Sequence, residues 1–286
     1  MLNLGPLSDL DRFVLSACTA ESTGLADAID RLVDHVSHQA DMIDLVSRLS
    51  PKVRDVAAIF AVRSMRYWDR LPAPWHSHLR AARVVETARE RAFQNIAGEI
   101  LHLPVISGSA PIVTGGPAIS AGFYPDGWLR HNSRLFFLFR SREDLHAAES
   151  ALVERGFEVQ KTSTSGLAHV LRHPSRMSIA LHAERICTRM RRLNYDVLKE
   201  SAVTITLGGQ SVLAAGASNL RAELAYAAAT AAFGTVPPQW VLDWSVLKTH
   251  LPEVSEAETA LFSEERFSLP LLDVARSAEP LLAPKL

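Results

Sequence analysis

The sequence predicts an α+β fold in which a small mixed sheet with helices lies between two helical regions. In the first third, apolar residues recur at helical spacing, as at Leu25, Ile29 and Leu32. The middle third carries short apolar runs separated by Gly and Pro, which is typical of short strands. The last third returns to helical patterns, so helices are expected on both sides of the sheet.

We expect three regions along the chain. Residues 1–104 form an N-terminal helical region, residues 105–200 an α+β core, and residues 201–286 a C-terminal helical region with an extended tail. The chain has no fixed-period repeat and no long Gly/Ser-rich linker. These regions are therefore expected to pack against one another.

Composition excludes several classes of protein. Of 286 residues, 48% are hydrophobic, and 30 basic residues balance 31 acidic ones, leaving a formal charge of -1. Because no overall field attracts polyanions, neither nucleic acid nor a membrane is expected as a partner. The sequence has no signal-peptide pattern and no run approaching the ~20 apolar residues of a membrane-spanning helix, so we expect a cytoplasmic protein. Cys18 and Cys187 lie too far apart in sequence for a zinc motif.

Residues typical of helix ends predict where several helices begin and end. Ser50 is a candidate N-cap with Pro51 at the first helical position, and a long helix is expected from about Leu79 to His102. Near the end of the chain, helices are expected at Leu220–Phe233 and from Pro238 onward. Trp240 and Trp244 lie on one face of this last helix, where we expect core packing.

Strand signals fill the middle third. Strands are expected at Pro111–Thr114, Leu135–Phe139, Ala168–Arg172 and Ser178–His182. Gly115 and Gly116 end the first of them in a tight turn. A helix capped by Ser141 and ending near Gly156 follows the second.

Two segments and the strand after them resemble a bacterial nucleotidyltransferase family. The segment Thr114–Ala118 reads TGGPA and Phe123–Arg130 reads FYPDGWLR. Members of that family carry a Lys-Gly pair after a strand, then a Tyr-Pro-Asp segment with Arg six residues beyond the Tyr. An Asp-x-Asp pair follows on the next strand. The spacing matches without a gap, and the resemblance implies a nucleotidyltransferase-like core.

Weaker similarities extend the resemblance to about residues 15–250. Glu154–Phe157 resembles the end of the family's helix before a Gly-aromatic turn, and Ile179–His182 resembles its acidic-Leu-His strand. Trp240 and Asp243 match a C-terminal Trp-x-x-Asp helix. Family members are often encoded among biosynthetic genes, so the resemblance implies a biosynthetic context.

The residues that would perform the family's chemistry are absent. The resemblance implies that two carboxylates on one strand hold magnesium, which bridges the nucleotide phosphates. Here the matching positions are Arg134 and Phe136, the third acidic position is Ala180, and the family's Lys falls on Gly115. Shifting the alignment does not restore an acid, because no Asp or Glu lies between Gly127 and Arg142.

Other family positions are retained. They are Gly116, Tyr124, Asp126, Arg130, His182 and Asp243. This pattern is expected of a protein that has kept the family's fold but has lost or replaced its catalytic residues. We therefore do not expect a metal-dependent nucleotidyltransferase, although the sequence leaves open whether the protein is an enzyme.

A set of candidate anion- or ligand-binding residues remains, with no metal ligand among them. The set is Gly115, Gly116, Arg130, Arg134, His182 and Arg185. A guanidinium can bind phosphate directly, and glycine amides can approach one closely. Each also has a structural interpretation: a tight turn for the glycines, a solvated or paired arginine, and a fixed hydrogen bond for the histidine. His131 and His169 have no partner at metal-ligand spacing and receive no role.

Three functional hypotheses follow. The first is a non-catalytic binding or partner protein that takes a small anionic ligand or another protein in the former active-site cleft. No cofactor is predicted, and a nucleotide is one candidate for the ligand. The second is an enzyme for nucleotidyl or phosphoryl transfer with acids from elsewhere, such as Asp126, Glu184 or Asp243. The third is an RNA-associated accessory factor that uses the basic cluster from Arg185 to Arg192.

Overall fold

The computed structural model describes residues 9–19, 24–37, 55–163, 165–186, 193–230 and 238–250. These residues build a mixed sheet of seven strands with helices on both sides and at both ends of the chain. The expected α+β fold is thus confirmed. Within the described part of the chain, no helix is both long enough and apolar enough to cross a membrane.

The N-terminal region is helical. Its elements are α1 (Asp9–Thr19), α2 (Leu25–Ser37), α3 (Ala57–Ser64), a 3-10 helix (Met65–Arg70), α4 (Ala73–Leu101) and α5 (Pro104–Ser109). The long helix α4 begins six residues earlier than expected, because Pro74 stands in its first turn, where the missing N–H costs nothing. The predicted start at Ser50 and Pro51 lies outside the described residues.

The core elements alternate between strands and helices. They are β1 (Ile112–Val113), α6 (Gly115–Phe123), a 3-10 helix (Gly127–Leu129), β2 (Arg134–Phe139), α7 (Arg142–Glu154), β3 (Glu158–Thr162), β4 (Ala168–Arg172), β5 (Ser178–Ala183) and α8 (Tyr195–Glu200). Four of the strands match the sequence-based expectations within two residues at either end. Ser141 caps α7 as predicted, since its hydroxyl accepts the Asp144 N–H at 3.1 Å.

The last four described elements are β6 (Val203–Leu207), β7 (Gln210–Ala214), α9 (Ala217–Thr230) and α10 (Pro238–His250). Both helices were expected. The β6–β7 hairpin was not, although Gly208 and Gly209 both have positive φ and form the tight turn that joins the two strands. The sheet therefore continues beyond residue 200, and the division into three regions stays a prediction. The expected tail after Phe267 lies outside the described residues.

The strand order is β3-β4-β5-β2-β1-β7-β6. The pairs β2–β5 and β1–β7 are parallel and the remaining pairs are antiparallel. Strand β2 thus lies near the centre, with β1 on one side and β5 on the other. Residues that follow β1 and those on β2 are brought to the same part of the sheet.

Side-chain alternation gives the sheet two different faces. The back face carries Leu135, Phe137 and Leu181, which are fully buried, and α7 packs against it. The opposite face, called the cleft face because the family resemblance places its active site there, carries the exposed Arg134 beside the partly buried Phe136. Leu138 and Ala180 on the cleft face are buried as well, so this face is open at the end that carries Arg134.

Helix α4 crosses the hairpin at a contact between two glycines. A Cβ atom on Gly208 would lie 2.2 Å from the Gly98 backbone nitrogen, so neither position has room for a side chain. The Gly208 N–H also donates to the Gln94 side chain at 2.6 Å. The N-terminal helices are in this way fixed directly to the edge of the sheet.

Replacement of the cap residue tests the assignment of α7. We expect Ser141→Ala to lower the free energy of unfolding by about 1 kcal/mol, because the first turn of α7 loses its hydrogen bond from the Asp144 N–H. Urea unfolding measures the difference. The control is Ser150→Ala, in the exposed middle of the same helix, and an equal loss in both variants would contradict a capping role.

Candidate functional site

The turn between β1 and α6 places Gly115 at the start of a helix. Gly115 has φ of +60°, and its N–H donates to the Glu223 carboxylate on α9 at 3.1 Å. A Cβ atom here would lie 3.3 Å from both the Phe136 ring and the Glu223 carboxylate. The helix N-terminus that could accept an external anion therefore already holds an internal one.

Glu223 is an acid that the sequence patterns did not single out. Burial raises the pKa of its carboxyl to about 7, against the opposing effects of the Gly115 N–H and the Arg130 charge. Its only sequence signal is a single acid within an apolar, alanine-rich helix. The structure therefore adds a carboxyl that can change protonation near neutral pH.

Arg130 and Asp243 form a buried ion pair. The Arg130 Nε and Nη2 donate to the two oxygens of Asp243 at 2.8 and 2.7 Å, and the Asp243 side chain has no solvent exposure. Burial disfavours the guanidinium charge, but Asp243 outweighs this effect, so the pKa of Arg130 is raised. This bidentate pair joins the end of the second 3-10 helix to α10.

Tyr124 and Gln239 complete the hydrogen bonds around this pair. The Tyr124 hydroxyl donates to Asp243 Oδ1 at 3.1 Å, and Gln239 Nε2 donates to both Tyr124 Oη and Asp243 Oδ1 at 3.3 Å. Burial, and then the Asp243 charge, raises the pKa of the Tyr124 phenol well above its usual range. Tyr124 is therefore neutral and acts as a fixed donor.

Gly116 is required by the position of Arg130. A Cβ atom on Gly116 would lie 2.0 Å from Arg130 Nη1, and that nitrogen also donates to Asn132 Oδ1 at 2.7 Å. The guanidinium thus crosses directly over the glycine backbone. Both residues thus make internal contacts that support the scaffold, and a role of Gly116 and Arg130 in ligand binding stays a prediction.

His131 extends the polar network to α4. Its Nδ1 hydrogen-bonds Glu86 Oε2 at 2.9 Å, which raises the pKa of the imidazole, and Arg89 forms an ion pair with the same carboxylate. His131 received no role from the sequence, because its partner lies 45 residues away. It holds the second 3-10 helix against α4.

The cleft face brings together the positions where the family carries its acids. Phe136 and Ala180 are paired across β2 and β5, and Arg134 lies one pleat along the same face. The Arg134 guanidinium stacks 5.7 Å from the centre of the Phe136 ring. These three positions present a cation, an aromatic ring and a methyl group.

His182 lies further along the same face of β5. Burial, followed by the charge of Arg134, lowers the pKa of the imidazole to about 4. The ring hydrogen-bonds the backbone of Ile186, while its buried Nδ1 has no hydrogen-bond partner among the described residues. His182 is therefore neutral near physiological pH, and Arg134 carries the positive charge that acts on it.

The remaining candidate residues lie beyond β5 or outside the description. Arg185 is partly exposed and pairs through its backbone with Asn194. The rest of its basic cluster, at residues 189–192, lies outside the described residues. Of the acids considered for altered chemistry, Asp243 is used by Arg130, Glu184 pairs with Arg142 at 3.2 Å, and Asp126 is exposed.

These residues do not fit a magnesium ion. Magnesium needs several oxygen ligands in octahedral geometry, and Arg134, Phe136 and Ala180 offer none from their side chains. Glu223 contributes one carboxylate, which is already hydrogen-bonded to the Gly115 N–H. The side chains at these positions therefore do not offer a ligand set for a metal on this face of the sheet.

A match over most of the sequence identifies the chain as a nucleotidyltransferase-like protein. The sequence pattern of the family described as uncharacterised nucleotidyltransferases matches residues 55–266. The chain belongs to this family. The expected resemblance is thus confirmed at the level of the family, while its catalytic state is not decided by membership.

The similarity of this chain to individual known proteins is low. A solved structure of the antibiotic-resistance factor ANT(2'')-Ia is similar, with 14% sequence identity and a TM-score of 0.42. The similarity covers 64% of this chain and 91% of that protein. No curated protein sequence matches the chain significantly.

Gly116→Ala tests the close approach of Arg130. The added methyl group must displace a buried, fully hydrogen-bonded guanidinium, so we expect the free energy of unfolding to fall by about 3 kcal/mol. The control is Gly108→Ala, where no atom lies within 4 Å of the added Cβ. If urea unfolds both variants at the wild-type midpoint, Arg130 is not held as described.

Glu223→Gln tests the buried carboxyl. Its folded-state pKa of about 7 exceeds the ordinary value of 4.5, so the folded protein holds its proton more tightly than the unfolded chain. Relative to Glu223→Gln, the wild type should lose up to about 3 kcal/mol of stability as the pH rises from 4.5 to 7. Urea unfolding across this range measures the difference.

The exposed Glu99→Gln controls for the loss of one negative charge. A stability difference between wild type and Glu223→Gln that stays constant from pH 4.5 to 7.5 would show that the carboxyl is not buried as described. A pH-dependent difference of the same size in Glu99→Gln would assign the effect to overall charge.

Proposed function

We propose that this protein is a non-catalytic member of its family that binds a small anionic ligand on the cleft face of the sheet. The observation that carries the proposal is the row of Arg134, Phe136 and Ala180 at the family's three acidic positions. Nucleotidyl transfer depends on a divalent cation that bridges the phosphates. A guanidinium at the same place favours binding the anion directly.

The internal anion at α6 supports the same proposal. In a nucleotide-binding arrangement, the turn after β1 would offer its N–H groups to a phosphate. Here the Gly115 N–H is donated to Glu223, and a phosphate at this place would meet a second negative charge whenever Glu223 is ionised. A ligand is therefore better placed nearer Arg134, on the open part of the cleft face.

The chemistry of the cleft face indicates the class of ligand. The exposed Arg134 supplies a planar fork of donors, and Phe136 supplies an aromatic surface directly beneath it. Arg172 is a second exposed cation in the same row, but Glu158 lies opposite it on β3. An anion with a flat group, such as a nucleotide, suits this combination of charge and ring. A protein partner with an exposed acidic side chain would use the same contacts.

Glu223 favours a second candidate, an enzyme with a rearranged site. A carboxyl whose pKa is near 7 can take up and release a proton during a reaction. It lies beside Phe136 rather than with the acids considered from the sequence. In this alternative Glu223 is a general acid or base, and its replacement abolishes turnover.

Calorimetric titration with ATP, GTP, CTP and UTP, each with and without magnesium, tests the proposed function. We expect one or more of the nucleotides to bind equally well without magnesium. Arg134→Ala should weaken that binding at least tenfold, because it removes a charge-assisted contact worth about 1.5–3 kcal/mol. Arg91→Ala, on the exposed surface of α4, is the matched control.

The other outcomes separate the hypotheses. Binding that requires magnesium contradicts the proposal, and so does binding that survives Arg134→Ala. Release of phosphate or pyrophosphate that is lost in Glu223→Gln supports the enzyme instead. No binding of any nucleotide excludes these ligands and leaves an acidic protein surface as the occupant of the cleft.

A further inference from the structure

A second cluster of chemically active side chains lies on the back face of the sheet. His146 and Glu149 stand on α7, one turn apart, and His169 stands on β4. Because Ala168 and Val170 are on the cleft face, His169 between them points to the opposite side. The cluster is therefore separated from Arg134 and His182 by the thickness of the sheet.

The three side chains converge on one point. His169 Nδ1 lies 2.8 Å from Glu149 Oε2, and His146 Nδ1 lies 3.5 Å from the same oxygen. One ligand atom from each residue lies within 4.8 Å of the other two. Ligand atoms around a tetrahedral zinc ion are separated by about 3.3 Å, so small side-chain rotations would complete the geometry.

We propose that His146, Glu149 and His169 bind a divalent transition metal ion, with zinc as the expected occupant. Two imidazoles and one carboxylate are ligands that zinc accepts, whereas magnesium and calcium require mostly oxygen ligands. The spacing on α7 supports this assignment, because residues three apart on a helix lie on the same side. The family's own cleft contributes nothing to this cluster.

The three residues differ in solvent exposure, from the buried His169 to the exposed His146. His169 is 4% exposed, the Glu149 side chain 18% and the His146 side chain 57%. The metal would thus sit at the surface end of the contact between α7 and β4, with its fourth position open to water. Binding would fix α7 to the back face through a strand near the sheet edge.

One ring nitrogen of His169, the buried Nε2, lacks a hydrogen-bond partner among the described residues. A hydrogen bond from Nδ1 to Glu149 therefore satisfies only half of the ring, and a buried unpaired nitrogen costs free energy. A metal at the point where the three side chains converge would bind Nδ1 and leave Nε2 unpaired, so the proposed site rests on the positions of the three ligand atoms and not on this cost.

Zinc uptake by the full chain, with any purification tag removed and metals stripped by a chelator, tests the site. Equilibrium dialysis with elemental analysis should show one more zinc ion per wild-type chain than in a double variant, His146→Ala with Glu149→Gln. Cobalt should give an intense absorption band typical of tetrahedral coordination. Each single variant should weaken binding at least tenfold. His146 is exposed and alanine favours helix, so His146→Ala is expected to fold.

Glu143→Gln, an exposed acid on the same helix, is the matched control and should bind like the wild type. Circular dichroism confirms that each variant is folded. The proposal is overturned if the wild type takes up no more zinc than the double variant. It is equally overturned if both single variants keep wild-type affinity, because the metal would then lie elsewhere.

Discussion

The buried ion pair between Arg130 and Asp243 is the constraint on which the rest of the structure depends. It joins α10 to the loop before β2, and it orders Tyr124 and Gln239 around one carboxylate. Neither charge is stable in this environment without the other, because both have left water. The helix that carries Gly116 must in turn pass close enough to leave no room for a side chain.

This network explains the mixture of retained and lost family residues. Gly116, Tyr124, Arg130 and Asp243 have internal partners, so they maintain the architecture whether or not a reaction takes place. Arg134, Phe136 and Ala180 lie on the cleft face, where substitution does not disturb the ion pair. The residues that hold the architecture and those on the cleft face are therefore two separate sets, and the proposed loss of catalysis concerns only the second.

Local patterns predicted the parts of the fold that local interactions determine. The bounds of β4 and the cap at Ser141 follow from nearest neighbours in sequence, and strand register alone brings Phe136 opposite Ala180. The ion pair of Arg130 was not predicted, because its partner lies 113 residues away and no local pattern indicates such a contact. Glu223 was missed for the same reason, since its contact with Gly115 spans 108 residues.

Two partly buried titratable groups, His182 and Glu223, respond to acid in opposite directions. The pKa of His182 is lowered to about 4, so this residue destabilises the folded state as the pH falls below about 6.5. The pKa of Glu223 is raised to about 7, so this residue adds stability over nearly the same range as the pH falls. The two contributions have opposite signs over nearly the same pH range, so they partly offset one another.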